Sequence, residues 1–214
     1  VCCLSSLNIE KYDEWKDDPN IINDVMKFLD NVLSDFINKA PDQFKDAKYS
    51  AERERSVGLG VMGFHSYLQK KKIPLESVMA KAWNKKIFKN IHQKVNQASK
   101  DLAEERGACP DAAEYGYQER FSNKTAIAPT ASISIICGGA SPGVEPIAAN
   151  SYTHKTLSGS FNVRNRYLEE ILASHGKNDD ETWSTITTNQ GSVSHLDFLT
   201  DLEKDVFKTA FELN

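Results

Sequence analysis

The sequence predicts a helix-rich α/β fold, and three observations carry that prediction. Two long stretches, residues 21–37 and 76–106, repeat apolar side chains at helical spacing. A short apolar run over residues 1–9, VCCLSSLNI, reads as a buried strand running into a turn. Between the second helical stretch and the C-terminal third lies AIAPTASISIICGGASPGVEP, residues 126–146, where hydroxyls and glycines break up an apolar run.

Composition narrows the class. The 214 residues, 40% hydrophobic and 26% charged, fit an ordinary globular chain long enough to bury a sizeable core. A net charge of −4 and a pI near 5.8 exclude the basic footprint of a nucleic-acid binder. No apolar run is long enough for a membrane span. Cys2, Cys3, Cys109 and Cys137 lack the spacing of a secreted disulfide framework, so a reducing, cytoplasmic setting is expected. The chain opens at Val1 inside an apolar run and stops at Asn214 inside a helical pattern, which predicts a piece of a longer protein. No repeat or linker divides it, so residues 1–214 are expected to form a single domain, truncated at both ends.

Taken in order, the first strand should send the side chains of Cys2 and Cys3 to opposite faces. Asp18 is the expected cap of the next helix, with Pro19 in its first turn and Pro41 beyond its end. Its stripe is Ile22, Val25, Leu29, Val32 and Phe36, widened by Ile21, Phe28, Leu33 and Ile37. Gly58, Gly60 and Gly63 formally match G-x-G-x-x-G, but no strand clearly precedes them and no acidic residue follows at the right distance. A tightly packed helix with small residues on one face is the expectation there. The long helix over residues 76–106 should close at Gly107, with Ala82, Ile87, Ile91, Val95, Ala98 and Leu102 inward. Residues 108–123 read as a loop, 151–160 as a polar strand or loop, 164–175 as a helix and 178–181 as a loop. Thr200 and Glu203 have capping-box spacing before a last helix over 201–213. His154 and Lys155 could face a ligand or simply be solvated.

The stretch 126–146 has two readings on its residues. Hydroxyls and unpaired backbone N–H groups at the mouth of a short element are what a phosphate needs. Small residues around a strand and a tight loop are also ordinary packing material. No Lys or Arg lies within it, so any anion would be held by hydroxyls and backbone N–H groups.

Together, several segments resemble one family, the catalytic large subunit of ribonucleotide reductase. AIAPTASISIICGGASPGVEP is similar to its substrate-phosphate loop and the segment leading out of it. RSVGLGVMGF (55–64) resembles its glycine-rich helix, LAEERGACP (102–110) the end of its long helix, and CCLSSLN (2–8) its C-x-L-[SA]-S strand. VFKTAFE (206–212) fits as well. The resemblance implies the C-terminal part of a ten-stranded α/β barrel and replacement of a ribose 2′-hydroxyl by hydrogen through thiyl-radical chemistry. It implies that Cys2 is one member of the redox-active cysteine pair and Cys3 a filler. Pro129, Thr130, Ala131, Ser132, Ile133 and Ser134 are implied to hold the substrate phosphates.

No cofactor or metal is expected on the chain itself. The class with a separate metal-bearing small subunit as radical source is favoured on the segment after the loop, with the adenosylcobalamin-dependent class as its rival. The other partners implied are a ribonucleoside diphosphate, the N-terminal half of the large subunit, a second large subunit and an external thioredoxin- or glutaredoxin-type reductant. ATP and deoxynucleotide effectors would bind elsewhere. The radical cysteine and the redox partner of Cys2 match nothing in these residues. A non-catalytic nucleotide-phosphate-binding module is the alternative from another class.

Overall fold

The structure, a computed structural model, describes residues 1–157 and 159–213. It opens with strand β1 (Leu4–Asn8), a single short helical turn α1 (Tyr12–Trp15) and the long helix α2 (Ile21–Lys39). Helix α3 (Lys45–Glu54) leads into strand β2 (Gly58–Met62). Because β1 and β2 are joined through helices they can run parallel, and they pair from Leu4↔Gly58 to Asn8↔Met62. The chain then forms α4 (Phe64–Lys70), α5 (Val78–Arg106) and α6 (Pro110–Glu114) before returning beside β2. There the N–H groups of Val57 and Leu59 donate to Asn123 O and Lys124 O, and Leu59 bridges Thr125 in parallel. Three adjacent parallel segments backed by helices are a section of an α/β barrel wall.

The expected helix over the glycine-rich segment is therefore a strand. Val57, Leu59, Val61 and Met62 are all buried, the continuous apolar pattern of a strand covered on both faces. The first strand is half-buried rather than buried, with Leu7 inside and Leu4 44% exposed. Helix α2 departs from the expected stripe only in part, since Ile21, Val25 and Phe36 are half-buried against the core. Ile22, Met26, Leu29, Leu33 and Ile37 face inward, while Phe28 and Val32 are exposed. Asp18 accepts from the Asn20 N–H one turn before the helix, so it shapes the entry without capping α2. Ser77 caps α5 by accepting from Ala80 N–H, and Gly107 ends it at φ 88°, a backbone conformation that favours glycine. Ala80, not Ala82, joins Ile87, Ile91, Val95, Ala98 and Leu102 on its inner face.

Beyond residue 130 the chain forms α7 (Ala131–Ile136) and a hairpin of β3 (Ser151–Thr156) and β4 (Gly159–Arg164). Helices α8 (Arg166–Ser174), α9 (Asp180–Thr188) and α10 (Asp201–Val206) follow. Residues 180–181, expected in a loop, begin α9 because the Asp179 carboxylate accepts from Thr182 N–H. Pro110, likewise expected in a loop, starts α6 at the position where its missing N–H costs nothing. The capping box of Thr200 and Glu203 is formed, but α10 stops at Val206 instead of running to 213. The chain turns there so that Ala210 N–H reaches Ile147 O and Asn150 Nδ2 reaches Phe207 O at 2.7 Å.

Two apolar cores result. One gathers β1, β2, α2, α4 and α5; the other gathers Leu168, Leu172, Trp183, Ile186, Val206 and Phe207 from α8 to α10. Directional bonds join them: Asn165 Nδ2 donates to Gln69 Oε1 at 3.0 Å and to Asn150 Oδ1 at 2.8 Å.

Within the first core sits a buried ionic centre. Asp30 of α2 is fully buried and accepts from three guanidinium groups. Arg55 donates to Oδ1 at 2.6 Å, Arg106 to Oδ2 at 2.7 Å, and Arg120 to both oxygens at 3.0 and 3.2 Å. Burial alone raises the pKa of Asp30, but the bonds from Arg120, Arg106 and Arg55 outweigh it and leave the carboxyl below its ordinary range. Such a carboxyl contributes its stability fully above the unfolded value of about 3.8 and loses it as pH falls below that. Asp30→Asn strands three guanidiniums around a neutral group, and should cost about 3–5 kcal/mol in denaturant unfolding. The acid limb of the stability profile should flatten in the same variant.

Candidate functional site

Residues 126–127, which open the stretch 126–146, are laid directly across β2, and the glycines of that strand make this possible. A Cβ on Gly60 would stand 2.1 Å from Ala126 O, and one on Gly58 would stand 2.8 Å from the Ala126 Cβ and 2.3 Å from a Leu4 methyl. The glycines thus serve close backbone approach, not a dinucleotide turn. Past this crossing, Thr130 adopts the left-handed conformation at φ 53° and α7 begins. The first N–H groups of any helix, here those of Ala131, Ser132 and Ile133, have no acceptor within it.

The six residues expected to hold phosphate are contiguous at this turn, but their hydroxyls have different tasks. Thr130 Oγ1 accepts from Gly143 N–H at 2.8 Å, so it clasps the two ends of the loop. Ser134 is buried and its Oγ donates to Ala131 O at 3.3 Å. Ser132 is exposed, together with Pro129, Ala131 and Ile133. Ala131 and Ser134 also line a cavity of about 710 Å³ whose other walls include Ser66, Gln69, Arg164 and Arg166. A volume of that order suits a small organic ligand.

Cys2 is exposed and Cys3 is buried, as strand alternation requires. Cys3 donates its Sγ to Leu29 O at 3.4 Å, and burial, then the neighbouring Cys2 and Asp30, push its thiol pKa up. Cys3 is thus a packed thiol and Cys2 an accessible one. Alternation along β1 puts Leu4, Ser6 and Asn8 on one face, to which Cys2, two residues before the strand, belongs if the pattern is continued, and Asn8 Nδ2 reaches Cys137 O at 3.5 Å at the end of α7. The face carrying Cys2 therefore fronts the loop, with Cys2 about 20 Å along the strand from Asn8. Cys2 does not line the cavity. Cys109 is buried and Cys137 exposed, and all four cysteines are free thiols.

Residues that the sequence left unread surround the loop. His65, at the start of α4, is buried, and its Nδ1 accepts from Ile147 N–H at 3.1 Å just past the loop. That bond assigns the ring proton to Nε2 in the neutral form. Burial lowers the His65 pKa to about 4, so it is neutral at pH 7. Glu10, also buried, accepts from Tyr167 Oη and pairs with Arg166 at 2.6 Å beside the cavity. Burial, then the Glu10 contact, raises the pKa of the Tyr167 hydroxyl, which keeps its proton and donates it. A lone His or Glu in a helical stretch gives no sequence signal of such partners. His154 and Lys155 sit on β3 and do not line the cavity.

Fold and site together define part of an α/β barrel in which a strand with an exposed thiol fronts a hydroxyl- and glycine-rich loop. Comparison with known proteins gives this class its family. A family model for the ribonucleotide reductase barrel domain matches residues 1–120 and 111–214, and the chain belongs to that family. It is 50% identical over 218 residues to the ribonucleoside-diphosphate reductase large subunit of Invertebrate iridescent virus 6, covering all of this chain and 22% of that protein. It is 32% identical over 225 residues to the vitamin B12-dependent ribonucleoside-diphosphate reductase of Thermoplasma acidophilum, covering 28% of it. Among solved structures, the Actinobacillus ureae class Id ribonucleotide reductase alpha subunit superposes with a TM-score of 0.89 at 42% identity, over 98% of this chain and 38% of that one. The chain thus spans well under half the length of these relatives.

Two outcomes follow from this geometry. Gly60→Ala must displace the 126–127 backbone, which should destabilise the protein by about 1–3 kcal/mol and raise hydrogen exchange in peptides covering the loop. His65, with a folded pKa below its ordinary 6.5, contributes stability that is complete above 6.5 and is lost as pH falls toward about 4. His65→Gln, which keeps an acceptor for Ile147 N–H, should show a shallower fall in melting temperature between pH 7 and 5 than the parent protein.

Proposed function

We propose that this chain is the C-terminal barrel portion of a class I ribonucleoside-diphosphate reductase large subunit, working in deoxyribonucleotide synthesis for DNA replication. The observation that carries this is the exposed Cys2 on the strand face fronting the 126–137 loop, with its neighbour Cys3 packed away. In this reading the backbone N–H groups of Ala131, Ser132 and Ile133 and the Ser132 hydroxyl receive the diphosphate. Thr130 and Pro129 set the turn, and Ser134 braces it from behind.

A thiyl radical elsewhere in the subunit removes the 3′ hydrogen and later returns it. The 2′-hydroxyl leaves as water, a hydrogen takes its place, and two thiols become a disulfide, supplying two electrons and two protons. Cys2 is one of those thiols; its exposure suits both disulfide closure and later reduction by an external thioredoxin- or glutaredoxin-type thiol. The partner cysteine, the radical cysteine and the effector sites for ATP and deoxynucleotides belong to the N-terminal half of the subunit or to other segments outside this chain. The radical originates in a metal-bearing small subunit, the large subunits pair, and the enzyme works in the cytoplasm on nucleotides, not on nucleic acid or membrane. No helix among the described residues is long and apolar enough to cross a membrane.

A second reading is the adenosylcobalamin-dependent class, supported by the similarity to the B12-dependent Thermoplasma enzyme. The higher identities to the viral large subunit and the class Id alpha subunit favour the first. The test is ribonucleoside diphosphate reduction by the complete large subunit, with and without the small subunit, and with Cys2→Ser. Activity should require the small subunit, and the variant should lose sustained turnover by at least ~10³-fold, as expected on losing an essential reacting group. Turnover with adenosylcobalamin and no small subunit supports the second reading. Full activity of Cys2→Ser removes Cys2 from the mechanism.

A further inference from the structure

Helix α4 begins at Gly63, which sits in the left-handed region at φ 79° and has no side chain with which to cap the helix. Its orphan N–H groups need acceptors from elsewhere. One comes from 75 residues away: Ser66 N–H donates to Ser141 Oγ at 3.1 Å. The exchange is reciprocal, since Ser141 N–H donates to Ser66 Oγ at 2.8 Å. Gly63 N–H adds a third bond to Ser141 O at 2.7 Å. All three polar groups of Ser141 are thus engaged by the turn that ends β2, and both serines are buried.

What Ser141 belongs to gives this clasp its meaning. Immediately before it, Gly139 and Ala140 donate their N–H groups to Ser134 O, at 3.0 and 3.1 Å. Ser134 N–H in turn donates to Thr130 O at 2.9 Å. An unbroken series of bonds therefore runs from the β2–α4 turn, through Ser141 and Ser134, to the residue that opens α7. Strand β2 is paired in register with β1, which begins two residues after Cys2. The clasp consequently references the loop to the same strand pair that positions the thiol.

We infer that Ser66 and Ser141 are positioning residues for substrate: their reciprocal hydroxyl–amide clasp holds the α7 turn in the orientation that receives the diphosphate. This rests on the phosphate-loop reading proposed above. Both serines lie in the cavity wall, but each hydroxyl oxygen is taken up by the other's amide and neither is assigned a phosphate contact. Removing either hydroxyl strands one buried N–H and lets the loop move, which weakens binding of the diphosphate while leaving the reacting groups in place.

The test uses the complete large subunit with its small subunit and compares Ser66→Ala, Ser141→Ala, the double variant, and Ser66→Thr, which keeps the hydroxyl. Ala131→Asp, which sets a negative charge at the turn itself, is the separate control on the phosphate reading. The expected result is a rise of about tenfold in KM and in the dissociation constant for diphosphate in each alanine variant, the scale of one buried hydrogen-bonding group left unpaired. The kcat at saturation should stay within about twofold, the double variant should be no worse than the singles, and Ser66→Thr should recover most of the affinity. Peptides covering 131–146 should exchange hydrogen faster in the alanine variants. Wild-type affinity and unchanged exchange in both alanine variants, with binding abolished by Ala131→Asp, would overturn the clasp and leave the phosphate loop standing. Binding unaffected by Ala131→Asp would instead overturn the phosphate-loop reading, and the clasp's role with it. Losses that merely follow a lowered melting temperature, with kcat and KM equally affected, would also overturn the positioning role.

Discussion

The fold depends on Asp30. One buried carboxylate receives Arg55 from the end of α3, Arg106 from the end of α5 and Arg120 from the segment that returns to the sheet. Three pieces far apart in sequence are thereby fixed to α2 at one point. Three cations around one anion leave an excess of positive charge, which Glu105 partly offsets at Arg106 and neutral oxygen acceptors take up elsewhere. Arg55 also donates to Asp30 O and Ser34 Oγ, and Arg120 to Arg106 O and Gly107 O, the negative end of α5. Because those bonds are directional, the junction specifies the angle between elements as well as their contact. Apolar packing of α2 on α5 alone would tolerate sliding by a turn.

From that fixed frame the position of the loop follows by steric exclusion. Arg55 sits at the left-handed residue that ends α3 and sends the chain into β2. The two glycines of β2 then leave a bare strip of backbone on which residues 126–127 lie. The loop is thus placed from below by absent side chains and from the side by bonds to the β2–α4 turn. Thr130, Ser134 and Ser141 are spent on these internal bonds, and Ser132 is left exposed.

Much of this was legible in the sequence where the signal is local. Gly107, the Thr200–Glu203 pair and the inner face of α5 announce themselves within a few residues. The glycine-rich segment did not, because glycine spacing looks alike in a helix packed tightly and in a strand crossed by another backbone; only the crossing partner, 66 or more positions away, distinguishes them. The stripe of α2 is drawn too wide, taking in the exposed Phe28 and Val32, because a buried aspartate is invisible as core until its three arginines are known. At the site, the contiguous motif was readable as a whole, but which hydroxyl faces outward was not. Thr130 and Ser134 are turned to internal partners by a tight local geometry that residue types do not encode. The structure separates an exposed Cys2 from a buried Cys3, whereas which of them reacts is read only from the resemblance to the family.

The union of the two apolar cores has a mechanical consequence. Asn150 donates to Gly191 O and Phe207 O and accepts from Asn165, while Asn165 donates to Gln69 and accepts from Tyr167 N–H. Grease between two bodies permits a small rotation at little cost, whereas a chain of amides with filled valences resists it, since any twist breaks several bonds at once. The β3–β4 hairpin springs from this junction, with Ser151 next to Asn150 and Arg164 next to Asn165. Both ends of the hairpin are thus rooted in the bonded junction, so the amides of Asn150 and Asn165 set the direction in which its two strands leave the body of the protein.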